Sequence, residues 1–241
     1  MRDILLDPED NQVFMSRSTL LAEARIPDTR KSLLLYEHKD KFSIVIPGRG
    51  ELMNSRVHGS EQALADLAVE RLANRDAPRI LVGGLGMGFT QAAALAATGP
   101  KAEIVVAELV PEVVDWHRQW IGGPAGHPLD DPRSTVYVGD VARLMREQPG
   151  GFDAILLDVD NGPQAVIRRE NDWLYGLEGL AVARSALRPG GVLAVWSAGP
   201  DAQFDRRLKR AGFKTELKIV RPHRAGKGAR HYIWLASKPK A

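Results

Sequence analysis

From residue 78 onward the chain alternates between short apolar runs and longer stretches in which apolar positions recur at helical spacing. The runs cover residues 79–82, 103–107, 135–138, 154–157 and 192–196. Each is mostly Val, Ile, Leu and Ala with few polar interruptions, the pattern of strands buried on both faces. Helical spacing falls between them, at residues 90–97, 111–120, 141–147, 173–187 and 201–211. Strands alternating with helices predict a parallel sheet covered on both faces. Two further strand candidates, residues 215–220 and 232–236, follow Gly212 and Phe213 and bring the predicted sheet to seven strands, the last two antiparallel.

The segment before residue 78 has a different rhythm. Residues 32–36 and 42–46 read as short strands, Pro47 and Gly48 mark a turn, and Leu52 and Met53 begin a return. Residues 61–73 then carry helical spacing through Ala63, Leu64, Leu67, Ala68 and Leu72. The expected fold class is α/β, with a small N-terminal β-hairpin extension over residues 1–75 and a Rossmann-like domain over residues 76–241.

Composition narrows the chemistry. With 44% hydrophobic and 26% charged residues, the 241-residue chain has ample material for a core. Cysteine is absent, which excludes disulfides, thiolate metal sites and cysteine nucleophiles. No apolar run approaches the roughly 20 residues of a membrane span, and the first ten residues carry four acids and no signal-peptide core. The cytoplasm is the expected compartment, with no membrane partner. The net charge is +3, and ten Lys and Arg residues crowd positions 206–230. No aromatic interleaving accompanies them, so they read as a solvated face and not as a nucleic-acid surface.

The first strand of the larger domain ends in Gly83 and Gly84, and Gly86 and Gly88 follow before the next helix. A strand that turns abruptly into a helix needs residues tolerant of positive φ, and a ligand close to the backbone needs residues without Cβ. The turn also places a helix N-terminus beside the ligand. Glu108 closes the second strand, where a carboxylate can accept both ribose hydroxyls, and Asp140 closes the third, where one can accept an adenine amino group. Asp158 closes the fourth. Capping is the plainer alternative for Glu108 and Asp140. With the adjoining Leu109 and Val141, these residues form the expected cofactor contacts. NAD fits less well, because its fingerprint spaces the last glycine as G-x-G-x-x-G whereas this turn reads G-x-G-x-G.

Several segments together resemble the spermidine synthase family, the polyamine aminopropyltransferases built on a class I methyltransferase-type sheet. Asp131, Pro132 and Arg133 with Gly139 and Asp140 resemble its D-P-R…G-D segment, and residues 152–158 match its Y-D-x-I-x-x-D strand. Leu35, Tyr36 and Glu37 resemble its N-terminal hairpins, and Ser60, Glu61 and Gln62 stand at its Tyr-His-Glu helix start. The resemblance implies a donor that is S-adenosylmethionine or its decarboxylated form, a small-molecule acceptor and a homodimer. It places Asp158 opposite the second substrate.

The chain differs from that pattern in three places. The acid of the family's glycine loop falls on Met87, its Tyr-His pair on Gly59 and Ser60, and the second acid of its D-S-S-D-P segment on Asn161, with Asp160 one place early. Asp158 and Asp160 are the candidate catalytic acids, although Asp160, Asn161, Gly162 and Pro163 also make a strong turn. The lost groups favour methyl transfer to a small molecule. Aminopropyl transfer with an altered acceptor site and a non-catalytic nucleotide-binding protein are the alternatives. Trp173 and Tyr175 read as core, and His58, His117 and His127 have no metal-ligand spacing.

Overall fold

The structure, a computed structural model, describes residues 18–72, 75–158, 171–221 and 230–240. Four strands, β1 (Thr19–Arg25), β2 (Ser32–His38), β3 (Lys41–Ile46) and β4 (Gly50–Asn54), form an antiparallel meander in that order. The sequence pattern does not announce β1. Its Leu20, Leu21, Ala22, Glu23 and Ala24 are good helix formers without clean alternation, and their extended state comes from pairing with residues 32–37 of β2.

The larger sheet has seven strands: β5 (Arg79–Gly83), β6 (Glu103–Glu108), β7 (Ser134–Val138), β8 (Phe152–Leu157), β9 (Leu187–Ser197), β10 (Lys214–Val220) and β11 (His231–Ser237). Their spatial order is β10-β11-β9-β8-β5-β6-β7. Strands β5 to β9 are parallel, and β11 runs antiparallel to both β9 and β10. The chain moves outward from β5 through β6 to β7, then returns to the other side of β5 as β8. The crevice at this reversal lies outside the carboxyl ends of β5 and β8, where open α/β sheets bind ligands.

Alternation along the buried strands builds two cores. Ile80, Val82, Ile104, Val106, Leu156 and Ala194 face helices α1 (Gly59–Glu70), α2 (Phe89–Ala97) and α3 (Pro111–Trp116), and the same cluster continues through Leu35, Ile44 and Ile46 of the small sheet. Leu81, Val105, Ile155, Leu157 and Val195 face the opposite way, onto α4 (Val141–Glu147), α6 (Leu177–Ala186) and α7 (Ala202–Arg210). Helix α1 follows the small sheet in sequence but lies against α2 and the larger sheet. Its Leu64, Ala65 and Ala68 are fully buried there.

Two local departures from the sequence pattern matter. The single helix expected at 111–120 is α-helical to Trp116 and continues as a π-helical stretch, His117–Ile121. The helix expected at 173–187 is broken into α5 (Asn171–Leu174) and α6. Tyr175, between them, is core as expected, with its ring edge-on to Phe204 at 5.7 Å.

The amino-terminal ends of the strands are held by charge. Asp153 is 1% exposed and accepts from the Arg79 amide (2.8 Å) and from Arg188 Nη1 (2.7 Å), with Arg75 Nη1 at 3.1 Å. One carboxylate thereby ties β5, β8, β9 and the segment before β5 together. Asp153→Ala should destabilise the protein by about 3–5 kcal/mol, because it leaves two arginines facing a hole where their counter-charge was. Urea unfolding followed by circular dichroism measures this, and Asp153→Asn, which keeps the acceptor for the Arg79 amide, should cost less.

Candidate active site

The turn between β5 and α2 is made of left-handed steps. Gly84, Gly86 and Gly88 have φ of +89°, +51° and +81°. The Gly84 amide donates to the Ala107 carbonyl (2.8 Å), and Gly88 is the residue from which α2 starts, with no side-chain cap. The turn is also clamped from both sides. A Cβ on Gly86 would lie 2.8 Å from Met53 Sδ of β4, and one on Gly88 would lie 2.3 Å from His117 Nε2. Positive φ therefore demands glycine at both positions, and at Gly88 the His117 ring adds close packing to that demand, whereas the flexible end of Met53 can yield at Gly86.

His117 is 1% exposed, and burial pulls its pKa down to about 4. The ring is neutral, and its Nε2 stands 3.4 Å from the Met87 carbonyl, which fixes Nε2 as the protonated nitrogen if it donates there. Met87 itself is 4% exposed and belongs to the core.

The strand-end residues line one edge of the sheet in the order Asp158, Gly83, Glu108, Asp140, three acids and a glycine that follow the strand order β8-β5-β6-β7. Glu108 is buried. Its Oε2 accepts from the Leu85 amide and its Oε1 from the Val110 amide, both at 2.9 Å. Burial raises its pKa, and these amide bonds oppose the rise. Asp140 is exposed and caps α4, its Oδ1 accepting from the Ala142 amide at 2.8 Å. Capping is thus present at Asp140 but not at Glu108, since α3 starts from Val110 without a side-chain cap, and each carboxylate retains lone pairs for a ligand. Leu109 is partly exposed beside Glu108, and buried Val141 opens α4.

Asp158 sits where β8 ends. Its amide donates to the Gly83 carbonyl (3.3 Å), and its Oδ2 accepts from the Thr90 hydroxyl in the first turn of α2 (2.6 Å). Burial first, and then the charge of Glu61, push its pKa up to about 7. Glu61 lies in the first turn of α1, where Ser60 Oγ donates to its Oε2 at 2.7 Å, and burial raises its pKa too. One residue before α1, His58 stacks on Phe89 with centroids 4.2 Å apart. Asp160 and Asn161 lie outside the described residues. Thr90 carried no sequence signal beyond starting a helix. The meeting of Glu61 with Asp158 is a product of helix packing, and only the resemblance singled out Glu61.

The clamp on the turn can be tested directly. Gly88→Ala should destabilise the fold by about 2 kcal/mol or more, from a left-handed φ and a clash combined. Pairing it with His117→Gly should recover part of that loss. A double-mutant cycle in urea measures the coupling, and simple additivity would mean that His117 does not clamp Gly88.

No protein-family model matches the chain. It is 29% identical over 178 residues to a polyamine aminopropyltransferase of Mycobacterium tuberculosis, an alignment covering 70% of this chain and 33% of the relative. A polyamine aminopropyltransferase of Nitrosomonas europaea is 31% identical over 97 residues, covering 40% and 28%. The chain thus spans about a third of the length of the curated relatives it matches. Among solved structures, spermidine synthase from Thermotoga maritima superposes with a TM-score of 0.70 at 17% identity, covering 92% of this chain and 74% of that one. A spermidine synthase in complex with the transition-state analogue AdoDATO gives 0.67 at 16% identity, covering 92% and 73%. A probable spermidine synthase from Corynebacterium glutamicum gives 0.60 at 18%, covering 86% and 77%. The chain has the spermidine synthase fold, on a methyltransferase-type sheet, and is similar in sequence to the polyamine aminopropyltransferases.

Proposed function

We propose that the chain is an aminopropyltransferase that uses decarboxylated S-adenosylmethionine as donor and an amine as acceptor. The observation that carries this reading is the acid pair Glu61 and Asp158, set beside the glycine turn at the sheet's switch point. The lean towards methyl transfer is set aside. It rested on Met87 in the glycine loop and on the missing Tyr-His pair, yet Met87 is a core residue and Glu61 adds its charge to that of Asp158. The relatives in both comparisons are polyamine enzymes by name. Homodimer formation and a cytoplasmic location belong to the same reading; no described helix is long and apolar enough to cross a membrane.

The residues present suit such a donor. Glu108 would accept the ribose hydroxyls with its remaining lone pairs, Asp140 the adenine amino group, and the turn from Gly83 to Gly88 would lie along the nucleoside, with Leu109 and Val141 flanking it. When bound, the donor supplies an alkyl carbon already activated by its sulfonium, with a neutral thioether as leaving group. Asp158 takes the proton that the acceptor nitrogen gives up as the new N–C bond forms and the C–S bond breaks. Thr90 holds one Asp158 oxygen in place for this. Burial, and then the charge of Glu61, keep the proton affinity of Asp158 high enough for it to act as a base near neutral pH.

Calorimetry tests the donor. Decarboxylated S-adenosylmethionine should bind more tightly than S-adenosylmethionine, and Glu108→Ala should weaken it by about 1.5–3 kcal/mol through lost charge-assisted bonds. The reverse preference would restore methyl transfer. The base is tested by the pH dependence of kcat/KM. The rate should climb as pH rises through about 7, where Asp158 ionises. Asp158→Asn should lose roughly 10²–10⁴-fold in kcat. Glu61→Gln removes the charge that raises the Asp158 pKa, so the ascending limb should move to lower pH. A limb that stays put would exclude the pairing.

A further inference from the structure

Strands β8 and β9 are parallel, with Leu156 beside Ala194 and Leu157 beside Val195. The next step of that register puts Asp158 beside Trp196. Leu157 and Val195 face α4 and α6, so Asp158 and Trp196 both turn to the face of α1 and α2. Trp196 packs against the core on that face, and Asp158 is bonded there to Thr90. Across β11, where Ile233 pairs with Trp196, the ring of His231 stands edge-on to the indole at 4.9 Å and 74°.

This corner holds polar atoms that have no partner among the described residues. Trp196 Nε1 and His231 Nδ1 are buried without a hydrogen-bond partner among the described residues. An unpaired buried nitrogen is not by itself a site. Trp234 has one too, deep in the opposite core at 1% exposure. Trp196 differs in being partly exposed and in standing one strand from the candidate base. Indole nitrogen is a donor only, so what it lacks is an acceptor atom.

We propose that Trp196, braced by His231, selects the acceptor: an amine whose far end carries a hydrogen-bond-accepting oxygen rather than a second ammonium. This rests on the amine-acceptor reading above. The ammonium end faces the carboxylates of Glu61 and Asp158, and the oxygen end receives the indole N–H. A diamine would set a second donor against that N–H. Its charge could still be drawn to the indole face, which makes it the sharpest competitor.

The test uses the full chain labelled with ¹⁵N at tryptophan, the Trp196 indole signal being assigned through Trp196→Phe. Aminobutanol and putrescine are titrated separately, without donor. Aminobutanol should shift the Trp196 indole N–H downfield and bind more tightly than putrescine. Trp196→Phe keeps an aromatic ring and removes the donor, so it should lower the aminobutanol-to-putrescine affinity ratio roughly tenfold. Equal or tighter putrescine binding, a Trp196 signal unmoved by saturating aminobutanol, no binding of either amine, or an unchanged ratio in the variant would each overturn the proposal. Because no donor is present, failure to bind decarboxylated S-adenosylmethionine sinks the transferase reading alone. Turnover of amines with a silent Trp196 sinks this proposal alone.

Discussion

The short turn from Gly84 to Gly88 is the constraint on which the rest of the molecule depends. Its backbone takes three left-handed steps while Met53 presses on one side and His117 on the other. Neither neighbour is close in sequence. Met53 comes from the small sheet, and His117 begins a π-helical stretch after α3, a local irregularity of a kind that often marks functional sites. Buried Glu108 adds a third hold by accepting from the Leu85 amide. The small sheet therefore shapes the turn and shares a continuous core with the larger sheet.

Once the turn is fixed, α2 starts beside the end of β8, and Thr90 in its first turn can reach Asp158. Helix α1 lies alongside α2 and brings Glu61 to the same place. The two ends of β8 then handle charge in opposite ways. At the amino end the buried Asp153 carboxylate is paired with Arg75 and Arg188, which offset its desolvation. At the carboxyl end Asp158 has a hydroxyl partner and a second carboxylate, and no ion pair among the described residues. An acid buried without a counter-cation holds its proton more tightly. In folding terms it stabilises least at pH values above its raised pKa, where it must ionise inside the protein. That arrangement suits chemistry at the expense of stability.

Much of the fold is legible along the chain. The alternation of apolar runs with helical spacing gives the order of strands and helices, and the glycines and strand-end acids mark one edge of the sheet. These features are local, since burial on both faces writes a near-continuous apolar run and a left-handed turn selects glycine. Strand β1 is not legible, because its residues favour helix and only β2 makes them extended. The capping bond of Asp140 follows directly from an acid standing before a helix start, and a reading of the sequence already allows it.

Along the chain, then, the sequence by itself determined the parallel sheet, the placement of the glycine turn and the row of Asp158, Glu108 and Asp140 along its edge, because each depends on residues near one another. Only the tertiary structure decided that Met87 is core, that the charge of Glu61 acts on Asp158, and that Trp196 lies on the strand next to that acid with its indole nitrogen unpaired among the described residues. Those facts arise where helices dock and strands pair across long loops. Packing of whole elements, and not the local pattern, chooses such neighbours.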